Sequence, residues 1–139
     1  MKIYFAGSIR GGRAGQENYS KIIKYLQKYG EVLTEHIGEK KLLDSGEKNI
    51  SDEEIYQRDI SLLKKADVFV AEVSSPSLGV GYEIAKAEEL NKDILCFHSS
   101  ENKNISAMIR GNKNISLKAY VDLKQLYGYI DDYFRKYMK

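Results

Sequence analysis

The chain has 139 residues, fewer than the ~150 of a typical domain, so a single domain spanning residues 1–139 is expected and a two-domain enzyme is excluded. Its 42% apolar and 30% charged residues lie close to globular averages, which excludes disordered, collagenous and low-complexity chains. Lys and Arg number 22 against 20 Asp and Glu, leaving a net charge of +2 with no basic block, so nucleic acid is not an expected partner.

Short β-branched or aromatic runs alternate with longer stretches of helical apolar spacing, the pattern of repeated βαβ units. Residues 2–6 read as the first strand. The apolar run at 3–6 is shorter than the ~7–15 residues of a signal-peptide core, and no run approaches the ~20 needed to cross a bilayer. A cytoplasmic protein with no membrane partner is therefore expected. Tyr19, Ile22, Ile23 and Leu26 then form one helical stripe that stops before Gly30, and residues 31–34 follow as a strand. Residues 38–49 are polar and Gly-containing, which predicts a long loop or lid. Ser51 with Glu54 three residues on makes a capping box, opening a helix that carries Ile55, Ile60, Leu62 and Leu63 to about Ala66. Residues 67–73 predict a third strand, and a further helix begins near Gly79 to Gly81. Residues 94–97 predict a fourth strand, 99–104 another surface loop and 116–120 a fifth strand. Asp122 can cap a last helix ending in Tyr133 to Tyr137. The one cysteine, Cys96, can form no internal disulfide and cannot found a zinc site, so a reducing compartment is expected and a metal is not.

Strands buried between helices predict an α/β fold, a doubly wound five-stranded parallel sheet of order 2-1-3-4-5 in a flavodoxin-like or Rossmann-like arrangement. Ligands bind such sheets beyond the carboxyl ends of the strands where the order reverses, here between the first and third. The site is expected to combine the loops after Ala6 and Val73.

The first of these loops reads Gly7-Ser8-Ile9-Arg10-Gly11-Gly12-Arg13. Glycines allow tight backbone, amides can face an anion, and Arg10 or Arg13 can fork onto phosphate oxygens. The spacing matches neither the dinucleotide fingerprint nor a Walker loop, so NAD and ATP hydrolysis lose support and no cofactor is expected. An ordinary strand-to-helix turn remains the alternative. The second loop, Ser74-Ser75-Pro76-Ser77-Leu78-Gly79-Val80-Gly81-Tyr82-Glu83, holds the one proline and opens a helix, whose N-terminus would favour a phosphate near Ser77. Glu83 is expected in the first helical turn, either as a functional carboxylate or as a dipole-complementing charge paired with Lys86. Tyr4 could donate to Glu83 or simply pack. Asp59 borders an apolar stripe and needs a partner or a ligand unless it is a solvated charge. His36 could titrate near neutrality or stack beside a base, and Ser106 could donate to phosphate from a short helical turn in which Met108 is core or interface.

Taken together, Tyr4-Phe5-Ala6-Gly7-Ser8-Ile9-Arg10-Gly11-Gly12-Arg13, Leu33-Thr34-Glu35-His36, Ala71-Glu72-Val73-Ser74-Ser75-Pro76-Ser77-Leu78-Gly79-Val80-Gly81-Tyr82-Glu83 and Ser106-Ala107-Met108-Ile109-Arg110-Gly111 closely resemble the 2'-deoxynucleoside 5'-phosphate N-hydrolases, within the wider nucleoside 2-deoxyribosyltransferases. The resemblance implies cleavage of the N-glycosidic bond of a deoxynucleoside monophosphate. It matches Glu83 to the nucleophile, Tyr4 to its hydroxyl neighbour and Asp59 to the second catalytic carboxylate. It matches Gly7, Ser8, Ile9, Arg10, Gly11, Ser77, Gly79 and Ser106 to the phosphate and substrate site, with His36 a candidate on the base side. It further implies a homodimer in which Ser106 and Met108 reach into the neighbouring subunit's site. The implied reaction passes through an oxocarbenium-like state that Glu83 stabilises and captures, while Asp59 or His36 handles the proton of the leaving base. Three alternatives stay open: a deoxyribosyltransferase, a ribonucleoside-monophosphate hydrolase and a non-catalytic nucleotide sensor on the same scaffold.

Overall fold

A computed structural model describes residues 1–8, 13–34 and 50–138, without the side chains of 13–16. The elements run β1 (Lys2–Gly7), α1 (Arg13–Leu26), β2 (Glu31–Val32), α2 (Asp52–Lys65), β3 (Val68–Glu72), α3 (Leu78–Glu89), β4 (Asp93–Ser99), α4 (Ala107–Arg110), β5 (Ile115–Tyr120) and α5 (Leu123–Phe134), closed by a 3-10 turn at Arg135–Tyr137. All four neighbouring strand pairs are parallel, and the order β2-β1-β3-β4-β5 is the expected one. The order reverses between β1 and β3, where Gly7 stands opposite Glu72.

Strand alternation divides the core in two. Ile3 and Phe5 of β1, Val68 and Val70 of β3 and Leu95 and Phe97 of β4 pack under α1 and α5, against Ile22, Leu26, Leu126, Ile130 and Phe134. Tyr4, Ala6, Phe69, Ala71, Ile94 and Cys96 face the other way, under α2 and α3, with Leu63, Val80, Ile84 and Ala87. Each of these large side chains contributes about 1.5–3 kcal/mol of burial, which fixes the sheet as the rigid base of whatever its loops carry.

The two caps read from the sequence, Ser51 and Asp122, are formed, and Ser77 adds a third on a helix that begins at Leu78 rather than near Gly79 to Gly81. Ser51 Oγ accepts from the Glu54 N–H at 3.1 Å, Ser77 Oγ from Val80 N–H at 3.2 Å, and Asp122 Oδ1 from Gln125 N–H at 2.8 Å. Glu54 does not complete a reciprocal box to backbone; its carboxylate takes the Ser51 hydroxyl at 3.1 Å. Two expectations need correction. The expected strand 31–34 stops at Val32, because Thr34 pairs through its side chain: buried Oγ1 accepts from Phe5 N–H at 2.8 Å and donates to Phe5 C=O at 2.6 Å. Gly30 does not end α1, which stops at Leu26; it lets β2 begin beside the first residue, since a Cβ there would lie 2.3 Å from the Met1 carbonyl oxygen. Elsewhere the strand ends differ from the expected ones by up to two residues, and the expected loop at 38–49 lies outside the described residues. No helix among the described residues is long and apolar enough to cross a membrane.

Candidate active site

Tyr4 projects from β1 toward α2 and α3, its ring stacked on Phe69 at 5.4 Å and its hydroxyl donating to Glu83 Oε2. Glu83 is the sixth residue of α3, because that helix begins at Leu78. It therefore lies in the second turn rather than the expected first, beyond most of the helix-terminus field. Lys86 does not pair with it; Lys86 Nζ reaches Glu89 at 3.3 Å. Between α2 and α3 opens a cleft of about 510 Å³ lined by Asp52, Ile55, Tyr56, Asp59, Ile60, Gly79, Tyr82 and Glu83. Three carboxylates, Asp52, Asp59 and Glu83, and two aromatic rings thus line one space. Gly79 keeps its end of the cleft open, the one atom within reach of a Cβ there being Ser77 Oγ at 3.8 Å.

Arg58 holds Asp59 from the side, with Nε and Nη2 both 2.9 Å from Oδ1. Burial dominates at Glu83 and pushes its pKa from 4.5 up to about 7; the Tyr4 hydrogen bond pulls it down, the Asp59 charge adds to the rise and the Arg58 charge opposes it. Tyr4 is driven far above its ordinary range, first by burial and then by the charges of Glu83 and Asp59, so it stays protonated and donates. A carboxyl poised near neutrality, hydrogen-bonded by a fixed phenol and faced by a second carboxylate, is the arrangement that acid, base or nucleophilic chemistry on a small polar molecule requires.

The chain matches the family model for nucleoside 2-deoxyribosyltransferase over residues 3–132, which takes in every element of this sheet and both walls of the cleft. The chain belongs to the nucleoside 2-deoxyribosyltransferase family. It is 46% identical over 140 residues to the 5-hydroxymethyl-dUMP N-hydrolase of Esox lucius, covering 97% of each chain. It is 46% identical over 142 residues to the protein of the same name from Danio rerio, covering 100% of this chain and 99% of that one. Among solved structures, the solution structure of BlsM aligns with a TM-score of 0.78 at 25% identity, covering 97% of this chain and 90% of that one.

Within this family fold, the described part of the crevice expected from the loops after β1 and β3 lies at the carboxyl edge of those strands. Gly7 ends β1, and a Cβ there would stand 2.7 Å from the Tyr19 ring, so packing alone demands glycine at this position. Ser8 follows it and is buried. Ser77 caps α3, leaving its hydroxyl proton available to a ligand. Ser106 caps the single turn of α4, accepting from Met108 N–H at 3.2 Å, and both Ser106 and Met108 are exposed rather than turned into the cleft of their own chain. Ile9, Arg10, Gly11 and His36 lie outside the described residues. Among the described residues no group of three or more His, Cys, Asp or Glu is arranged to hold a metal.

Sequence reasoning missed four participants. Arg58 adjoins Asp59, and the pair was legible only as scattered charge. Tyr56 and Tyr82 close the outer end of the cleft edge to face, centroids 6.2 Å apart and hydroxyls 3.3 Å apart. Asp52 lies one and two turns before Tyr56 and Asp59, and the spacing 52-55-59 on one helix face was the available signal.

Proposed function

We propose that this protein hydrolyses the N-glycosidic bond of 2'-deoxynucleoside 5'-monophosphates, releasing free base and 2-deoxyribose 5-phosphate through a covalent intermediate on Glu83. The observation that carries the reading is the Tyr4 hydroxyl fixed on the half-buried Glu83 carboxyl in the wall of a cleft that Asp59 also lines. As the bond to the base breaks, positive charge gathers at C1' and the ring oxygen, and an ionised Glu83 stabilises it and then bonds to C1'. Tyr4 aims that carboxylate. Asp59, steadied by Arg58, or His36 passes a proton to the departing base, and then activates the water that releases the sugar phosphate and regenerates Glu83. The 5'-phosphate sits on Ser8, Arg10, Ser77 and the amides at the start of α3, with Gly7, Ile9, Gly11 and Gly79 shaping the crevice.

The names of the two fish relatives make 5-hydroxymethyl-dUMP the first substrate to assay. The working unit is a homodimer in which Ser106 and Met108 complete the partner's site, a reading supported by the exposed Leu78, Tyr82 and Met108 on α3 and α4, at 96%, 52% and 79% exposure. The test is a panel of deoxy- and ribonucleoside monophosphates scored for free base, with and without an acceptor base. Base release from deoxynucleotides without acceptor supports hydrolysis, whereas release that depends on acceptor makes the protein a transferase. No release from any member removes the reading.

A further inference from the structure

Glu72 is a buried acidic residue that the reaction does not use. It ends β3, only 4% exposed, with its side chain on the α1–α5 face of the sheet, opposite to Tyr4 and Glu83. An isolated carboxyl there would be costly, and this one is met entirely by donors. Oε1 accepts from Ser74 N–H at 2.6 Å, while Oε2 accepts from the Ser74 hydroxyl at 3.0 Å and from the Tyr120 hydroxyl. Tyr120 ends β5, so the last contact crosses the width of β4.

Ser74 is in turn tied to the loop after β4. Its Oγ accepts from Ser99 N–H at 2.8 Å, and its carbonyl oxygen accepts from the Asn102 side-chain amide. His98 Nδ1 lies 2.9 Å from the Ser99 carbonyl oxygen and 3.1 Å from that of Asn102. Both can only accept, so Nδ1 carries the proton and clasps the same loop. On the other flank, Glu72 faces Gly7 across the β1–β3 register, and its charge helps burial raise the Tyr19 hydroxyl to about 12, while that hydroxyl meets the Ser8 backbone. Through Ser74, one carboxylate thereby joins the loops that leave β3 and β4 at the edge where the crevice opens.

We propose that Glu72 is a positioning residue that holds Ser74, and through it the loop from β3 to α3, in the geometry that receives the substrate's 5'-phosphate. It rests on the reading of that crevice as the phosphate site, and it extends that reading to the opposite face of the sheet. The donor set tells against mere filling of space: a core residue would need no hydroxyl from two strands away, and Ser74 is bound through its N–H, its hydroxyl and its carbonyl oxygen. Release of the brace leaves Tyr4, Glu83 and Asp59, on the other face, in place. The loss therefore falls on use of the phosphate and not on the chemistry at C1'.

The test compares kcat/KM for a deoxynucleoside monophosphate with that for the same deoxynucleoside lacking phosphate, in wild type, Glu72→Gln and Tyr120→Phe. The ratio of the two is independent of the folded fraction. Wild type is expected to favour the monophosphate strongly. Glu72→Gln, which turns an amide donor toward groups that donate, should cut that preference at least about tenfold, chiefly through KM, and Tyr120→Phe should cut it less. Tyr120→Phe keeps the ring and so keeps the comparison usable if Glu72→Gln fails to fold. A wild-type ratio near one overturns the phosphate reading, and this inference with it. A strong wild-type ratio that survives in the folded variants, with both substrates slowed alike, leaves the phosphate reading standing and overturns the role of Glu72.

Discussion

Replacing Glu83 by Gln should stabilise the protein, and by an amount that grows with pH. Burial lifts the Glu83 pKa from 4.5 in the open chain to about 7 in the fold. Between those values the folded state binds more protons than the unfolded one, so stability falls as pH rises through the window, and above about pH 7 the loss is complete. At about 1.36 kcal/mol per tenfold change in proton affinity, the full loss is roughly 3 kcal/mol. Gln cannot ionise, yet its carbonyl oxygen can still accept from Tyr4, so it mimics the protonated state throughout. For a chain of this size each kcal/mol moves Tm by about 4 °C. The difference in Tm between Glu83→Gln and wild type should therefore be small near pH 4.5 and reach about 10 °C by pH 8, measured by circular dichroism or calorimetry. Other carboxylates titrate in both proteins and cancel. A difference that stays flat with pH, or shrinks as pH rises, would refute the claim that Glu83 is a desolvated carboxyl held near neutrality.

Tyr4→Phe removes the hydrogen bond that opposes the rise at Glu83, so the acid limb of kcat/KM should move up by about one pH unit, checked by a full pH profile. Thr34→Val strips the buried Phe5 N–H and C=O of their partner and should cost about 1–3 kcal/mol in urea unfolding while the pH profile of catalysis keeps its shape. If the dimer shares its sites, a freely exchanged equal mixture of Glu83→Ala and Ser106→Ala chains should regain roughly a quarter of wild-type activity, since half the dimers are mixed and each mixed dimer has one whole site. Activity no higher than the mean of the two separate mutants, with exchange shown by mass, would place Ser106 outside its neighbour's site.

The fold was legible because its strands are short, β-branched and separated by helices whose caps and stripes are strong: Ser51 and Asp122 both cap where their spacing says they should, whereas Ser77, read only as facing the crevice, also caps α3. The strand after α1 was overread because Thr34 looks like a strand residue from its type, whereas its hydroxyl bonds the neighbouring backbone in place of a ladder. The Tyr4–Glu83 contact was anticipated, but not the balance of its electrostatics, since the helix start decides which turn Glu83 occupies and burial has no signature in spacing. Tyr56 and Tyr82 carry no sequence mark separating a cleft wall from packing. Glu72 did carry one, an acidic residue inside the apolar run from Val68 to Val73, where burial demands donors from elsewhere in the chain.

Capture of the sugar by Glu83 is tested most directly by the stereochemistry of methanolysis. With methanol added to a deoxynucleoside monophosphate and wild-type protein, attack by Glu83 and then by methanol inverts C1' twice, so methyl 2-deoxyribose 5-phosphate should form with the configuration of the substrate retained. The inverted product, read by nuclear magnetic resonance, would mean direct attack by solvent and would contradict the role assigned to Glu83.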